Sequence, residues 1–296
     1  MTCLITGATG FVGKSLCILL EQNKYLIKLS DQRLSILDWS HELLTIDTVI
    51  HLAARVHIIK DRSTNPLSDF RNVNVDGTLN LARQAAAAGV KRFIFLSSIK
   101  VNGEFTLPNQ PFKANEANPQ DPYGISKHEA EIGLRDIAAE TGMEVVIIRP
   151  PLIYGAGVKA NFASLSRIVK AGMPLPLGSV INNRRSFVSL QNLIDLIITC
   201  IDHPKAANQT FLVSDDDDVS TSELIRKIAK AQNVPTRLFP VPIIFLKSLA
   251  KVFGKLEIEQ RLLGNLQVDI TKNKTLLGWQ PPYTLEEGLG MMVDES

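Results

Sequence analysis

An α/β fold built on a doubly wound parallel sheet is predicted by three observations. Thr2-Cys-Leu-Ile-Thr6 reads as a buried strand that runs straight into Gly7-Ala-Thr-Gly10-Phe-Val-Gly13 and then a helical pattern. Four further near-continuous apolar runs, Tyr25–Leu29, Thr48–Leu52, Arg92–Ser97 and Glu144–Ile148, alternate with helical segments, as parallel strands covered on both faces require. The helices also carry end signals: Asn72–Ala88 is stopped by Gly89, and Asp121-Pro122 supplies an N-cap and a proline at the first helical position of a helix that ends near Gly142. The first helix runs from Val12 to about Asn23.

Beyond Pro150 the rhythm changes. Proline- and glycine-rich loops such as Gly172-Met-Pro-Leu-Pro-Leu-Gly178 interrupt shorter helices, and one late strand is read at Thr210–Val213. This predicts a main domain of residues 1–150 plus 187–214, with Phe187–Ser214 returning to the sheet, and a smaller substrate-binding region of residues 151–186 plus 215–296. Asp215-Asp-Asp-Asp218 leads into Ser220-Thr-Ser-Glu223, a capping box, so it reads as a solvated loop before a helix. Pro242–Phe253 is amphipathic and is expected to pack on the rest of the chain.

Composition narrows the function classes. With 296 residues, 45% of them hydrophobic, the chain has ample material for a core. A net charge of +2 with interspersed signs argues against a nucleic-acid stripe or an acidic tail. Cys3, Cys17 and Cys200 are odd in number and sit in apolar patterns, which predicts buried thiols, no metal site and a reducing, cytoplasmic compartment. The chain begins at its first strand, without a signal-peptide pattern, and no apolar run reaches membrane-span length.

The glycine turn predicts a dinucleotide site. Gly7, Gly10 and Gly13 allow a tight turn, close approach of backbone to a pyrophosphate, and tight packing of the helix whose N-terminus faces the phosphates; Phe11 and Val12 lie in the same turn. Asp31, just past the second strand, stands about 20 residues on, where a carboxylate accepts from a ribose 2′-hydroxyl. That favours NAD; Arg33 leaves NADP open. His51 and His57 lack companion ligands and read as structural residues or as lining of the cofactor pocket.

Tyr123 and Lys127 lie one helical turn apart on one face. A tyrosine has an ordinary pKa of ~10, and bringing it near 7 takes roughly 4 kcal/mol, part of which the Lys127 ammonium is expected to supply. The strand Phe93-Ile-Phe-Leu-Ser97-Ser98 ends in hydroxyls, so Ser98 is expected beside a reacting carbonyl, with Ser97 behind it. A phenol, an ammonium and a hydroxyl at the cofactor edge point to hydride chemistry on an alcohol or ketone.

The glycine turn, His51-Leu-Ala-Ala54, Asn74-Val-Asp-Gly-Thr78, Ser97-Ser98, Tyr123-Gly-Ile-Ser-Lys127 and Arg149-Pro-Pro-Leu-Ile-Tyr-Gly155 resemble the extended short-chain dehydrogenase/reductase family over essentially the whole chain. Within it the chain is similar to nucleotide-sugar 4-epimerases and nucleotide 4-keto-sugar reductases, which implies a Rossmann-like fold. The resemblance implies that Ser98, Tyr123 and Lys127 are catalytic. It places Gly7, Gly10, Phe11, Val12, Gly13, Asp31, Arg33, Asp38, Leu52, Ala53, Ala54, Asn74, Ser97, Tyr123, Lys127 and Pro150 around NAD. It also implies that Asn161-Phe162 meets the uracil, that Arg185 grips the diphosphate and that Arg261 closes over the nucleotide. Arg184 and Arg185 read equally as a solvated pair. Relatives often dimerise through two helices, here Asn72–Ala88 and Tyr123–Glu140.

Ile99 and Lys100 stand where sugar-nucleotide dehydratases of this family carry an acidic pair, which argues against dehydration. Leu152 replaces an asparagine frequent in epimerases and leaves room for a reductase. The expectation is a UDP-sugar 4-epimerase acting through a transient 4-keto sugar, with a 4-keto-6-deoxy-sugar reductase second and a non-catalytic redox sensor a minor alternative.

Overall fold

The structure, a computed structural model, describes residues 1–30, 38–56, 65–158, 160–252 and 256–294. The strands are β1 (Thr2–Thr6), β2 (Leu26–Ser30), β3 (Thr48–His51), β4 (Arg92–Leu96), β5 (Glu144–Arg149), β6 (Leu152–Tyr154), β7 (Phe187–Ser189) and β8 (Gln209–Leu212). The helices are α1 (Phe11–Gln22), α2 (Pro66–Arg71), α3 (Thr78–Ala87), α4 (Pro122–Thr141), α5 (Ala160–Lys170), α6 (Leu190–Asp202), α7 (Thr221–Ala231), α8 (Ile243–Val252), α9 (Leu256–Leu263) and α10 (Leu285–Asp294).

Among the described residues the main sheet has six parallel strands in the order β2-β1-β3-β4-β5-β8. Alternation along each strand explains its two covered faces. Cys3, Ile5, Ile50, Ile94, Val146 and Ile148 pack under α1 and α6, while Leu4, Val49, Phe93, Phe95, Val145 and Ile147 pack under α3 and α4. The chain leaves β1 for β2 on one side and returns as β3 on the other, so the crevice beyond β1 and β3 is the switch point at which such sheets bind ligands.

Two sequence expectations need correction. Asn72–Ala88 is not one regular helix: α2 precedes it, Asn72–Gly77 is a π-helical stretch, and α3 begins at Thr78. That stretch buries Asn74, whose amide bridges two neighbouring segments, a placement that a regular turn would rotate away. The segment after Tyr154 also divides differently. β8 joins the main sheet and α6 packs beneath it, but β7 pairs in parallel with β6 in a separate two-stranded sheet. The third core, with Tyr154, Phe162, Phe187, Ile225, Leu285 and Leu289, belongs to the C-terminal lobe.

The N-caps behave as read. Asp121 accepts from the Gly124 N–H at 2.6 Å, and Ser220 and Glu223 form a reciprocal capping box. Among the described residues, no helix is long and apolar enough to cross a membrane.

Candidate active site

The glycine turn lies at the switch point, and its glycines are there for space. Gly7 has φ +72°, and a Cβ on it would fall 2.7 Å from the Ala53 amide nitrogen; one on Gly13 would overlap the Gly7 carbonyl and Ala8. Thr6 braces the turn, its carbonyl accepting from the Leu52 N–H at 3.2 Å and its hydroxyl from the Ala53 N–H at 3.4 Å. Gly10 caps α1 without a side-chain bond, and the first turn holds no acidic residue, so its N–H groups and positive end suit a pyrophosphate. The cradle therefore fits a dinucleotide: Gly7, Gly10, Phe11, Val12 and Gly13 on one side, Leu52, Ala53 and Ala54 on the other.

Asn74 completes this wall. Its Oδ1 accepts from the Arg55 N–H at 2.8 Å, and its Nδ2 donates to the Arg55 carbonyl and to Ser126 Oγ at 3.0 and 3.1 Å. It ties the loop after β3 to α4, so its role is to brace the pocket. His51 is fully buried between Thr6 Oγ1 and Thr78 Oγ1, at 2.7 and 3.0 Å. Burial drops its pKa to about 3, with Lys127 adding to the effect, so the ring is neutral and structural. Asp38 is exposed, and the Ser40 N–H holds its carboxylate below the usual range. Its neighbour Trp39 is wholly buried in the core and anchors that loop. Asp31, Arg33 and His57 lie outside the described residues.

The reactive hydroxyls meet where β4 and β5 end. Ser98 caps the short turn Ile99–Val101, its Oγ accepting from the Lys100 N–H at 3.2 Å, and the Ile99 N–H donates to the Pro150 carbonyl at 3.0 Å. Gly124 lets α4 dock on this turn: a Cβ there would fall 2.6 Å from the Lys100 carbonyl oxygen. That close approach brings Tyr123, in the first turn of α4, near the Ser98 hydroxyl. Phe70 of α2 closes the other side of the phenol, edge to face at 5.9 Å.

Burial sets the electrostatics of Tyr123 and Lys127. Burial pushes the Tyr123 phenol up to about 12, the Asp121 carboxylate adds to this, and the nearby Ser98 hydroxyl opposes it. Lys127 is held at the strand end. It is buried, donates to the Leu96 carbonyl at 2.8 Å and lies 4.3 Å above the Phe95 ring; burial lowers its pKa to about 7 against the opposing pull of Glu131. Two residues at i and i+4 share a helix face, but α4 leans on the sheet, so the longer side chain is drawn down to the strand end.

Glu131 is a functional residue that the sequence reading missed. Fully buried, it accepts from Ser97 Oγ at 2.6 Å and from Arg149 Nε and Nη2 at 2.8 and 2.5 Å. Burial raises its carboxyl, and the Arg149 hydrogen bonds and charge, with Ser97 and Arg135, overcome that and hold it below the usual range. Arg149 also donates to Asn102 Oδ1 and the Glu116 carbonyl, at 2.9 and 2.8 Å. This hub joins α4 to the ends of β4 and β5, and it assigns Ser97 to bracing Glu131. The available signal was position: Glu131 stands one turn beyond Lys127 on the face that carries Tyr123.

On the lobe side, Arg185 and Arg261 lie close enough to repel. Burial, with the Arg261 charge, lowers the Arg185 pKa to about 10, and its Nη1 donates to the Gly264 carbonyl at 3.3 Å. Arg184 instead pairs with Glu223 at 2.9 Å, which separates the two adjacent arginines. The Phe162 ring is spent in the lobe core, stacked on Tyr154 at 5.3 Å and edge-on to Phe187. The ring thus anchors its segment in the lobe core. The Asn161 side chain lies outside the described residues.

Residues 3–214 match the NAD dependent epimerase/dehydratase family. The chain belongs to that family. It is an NAD-dependent enzyme. The chain is 52% identical to a UDP-glucose 4-epimerase of Vibrio cholerae, over 96% of this chain and 92% of that one. Among solved structures, UDP-glucuronic acid 4-epimerase from Bacillus cereus in complex with NAD superposes with a TM-score of 0.80 at 20% identity, covering 100% and 96% of the two chains. RMD from Pseudomonas aeruginosa complexed with NADPH gives 0.78 at 22% identity, with full coverage of both. At these identities the two structures establish the shared fold.

Proposed function

We propose that this enzyme is a nucleotide-sugar 4-epimerase acting on a UDP-hexose or UDP-N-acetylhexosamine through a transient 4-keto sugar. The observation that carries the reading is the placing of the Tyr123 phenol near the Ser98 hydroxyl at the same carboxyl edge of the sheet as the glycine cradle. The 52% identity to a UDP-glucose 4-epimerase supports it. When bound, NAD supplies the hydride acceptor and a positive ring that favours the phenolate. The residues do the rest. Tyr123 takes the proton from the sugar C4 hydroxyl and later returns it, while Ser98 donates to the C4 oxygen and stabilises its negative charge. Lys127, with its pKa lowered to about 7, orients the strand end through Leu96.

We assign residues 1–150 with 190–214 to cofactor binding, and residues 151–186 with 215–296 to the substrate. β7 joins the latter, in line with its pairing to β6. Arg185 and Arg261 present adjacent positive charge, which suits a diphosphate. A cytoplasmic homodimer through α3 and α4 completes the proposal; the 46% exposure of Ile132 on α4 supports that face, and the mass in solution tests it.

The test is to identify the nicotinamide released on denaturing purified protein and to follow C4 inversion of UDP-glucose and UDP-N-acetylglucosamine without added cofactor. Retained NAD with inversion is expected. An empty pocket with consumption of added NADPH on a 4-keto sugar nucleotide establishes the reductase instead, and binding without hydride transfer establishes a sensor.

A further inference from the structure

Lys100 touches both elements that carry the reactive hydroxyls. Its backbone N–H donates to Ser98 Oγ, and its carbonyl occupies the space that a side chain at position 124 would need. Its ammonium bridges Asp121, at 3.0 Å, and Glu104. Asp121 in turn caps α4 one residue before Pro122 and opposes ionisation of Tyr123.

We propose that Lys100 is a positioning residue for the epimerase reaction: its ammonium locks the Ser98 turn against the first turn of α4 and screens the Asp121 and Glu104 carboxylates from the Tyr123 phenol. The inference rests on the reading of Tyr123 as the acid/base. The other groups packed near the phenol do not provide that screening. From α2, Phe70 presents its ring, with Arg55 over it at 5.7 Å and Asp69 paired to Arg55 at 3.4 Å. From α4, Lys127 is committed to Leu96 and Glu131 to Arg149. From β3, His51 is neutral.

The Lys100 and Asp121 side chains retain 31% and 27% exposure, so the pair adds little to global stability and its variants are expected to fold. Beside a group that must ionise, the same charges act on rate. A plain structural clamp would lower activity equally at every pH. A screening cation moves the pH at which activity rises.

The experiment is the pH dependence of kcat/KM for C4 inversion, with thermal unfolding of each variant as a folding control. Lys100→Met is expected to shift the rising limb towards alkaline pH by roughly half to one unit, and Lys100→Arg to restore it. Adding Asp121→Ser, which keeps a capping hydroxyl, together with Glu104→Gln to Lys100→Met is expected to return the limb to the wild-type position. An unmoved limb in a folded Lys100→Met enzyme overturns the inference, as does a shift that persists without the two carboxylates. Tyr123→Phe separates this from the underlying reading: turnover retained there removes the acid/base assignment itself, whatever Lys100 does.

Discussion

At the carboxyl edge of the main sheet, reactive groups are held by backbone contacts and buried hydrogen bonds: Gly7 against Ala53, Gly124 against Lys100, and Ser97 and Arg149 on Glu131. In the C-terminal lobe the aromatic side chains build a separate core, Tyr154, Phe162 and Phe187 among them, and the proposed recognition falls to Arg185 and Arg261 beside it. The contrast assigns chemistry to rigid strand ends and specificity to side chains that the lobe merely carries. Changes at the edge should therefore damage turnover or cofactor retention, whereas changes at the lobe border should act on substrate affinity.

The largest expected effect is at the edge. Tyr123→Phe should lower turnover by about 10²–10⁴-fold while leaving the melting temperature and bound NAD nearly unchanged, measured by C4 inversion and thermal unfolding. Gly7→Ala places a Cβ at φ +72° against Ala53 and should cost about 1–3 kcal/mol in urea unfolding, with NAD lost on gel filtration.

On the lobe side, Arg185→Met should raise KM by roughly 10–100-fold with a much smaller change in kcat, the effect of losing about 1.5–3 kcal/mol of charge-assisted bonding. Equal losses in kcat and kcat/KM would instead place Arg185 in the chemistry and break the division.

Acid tests the packed edge itself. The folded His51 pKa of about 3 lies below the unfolded value of about 6.5, so between them the unfolded chain binds more protons and stability rises with pH. Stability should be intact above about pH 6.5 and fall by roughly 2 kcal/mol by pH 5, and His51→Leu should flatten that part of the profile. The smallest effect belongs to Arg184→Ala. Its half-exposed pair with Glu223 is worth under about 1 kcal/mol, and KM should stay near wild type.

Much of the edge was legible because its determinants are local. Gly7, Gly10 and Gly13 follow an apolar strand, and Asp121-Pro122 marks where α4 starts, so backbone conformation alone orders them. The resemblance singled out Arg185 over Arg184, while the residues alone left both as a solvated pair. Only the capping-box Glu223, 39 residues on from Arg184, claims one of them. That the Phe162 ring packs on Tyr154 and Phe187 was not legible, because those partners come from β6 and β7. Glu131 went unnoticed because its partners come from β4 and β5, distant in sequence.

The residues themselves determine the strand-turn-helix at the cofactor end, the alternation that covers both sheet faces, the capped start of α4, and the order in which Ser98, Tyr123 and Lys127 arrive. These follow from side-chain period, glycine conformation and capping chemistry, which act over a few residues. Tertiary structure alone decided that Lys127 turns to Leu96, that Tyr123 is raised towards 12 by burial and Asp121, and that Arg184 pairs with Glu223. Desolvation and charge pairing depend on what packs against a group in three dimensions, and that neighbourhood is assembled from segments far apart along the chain.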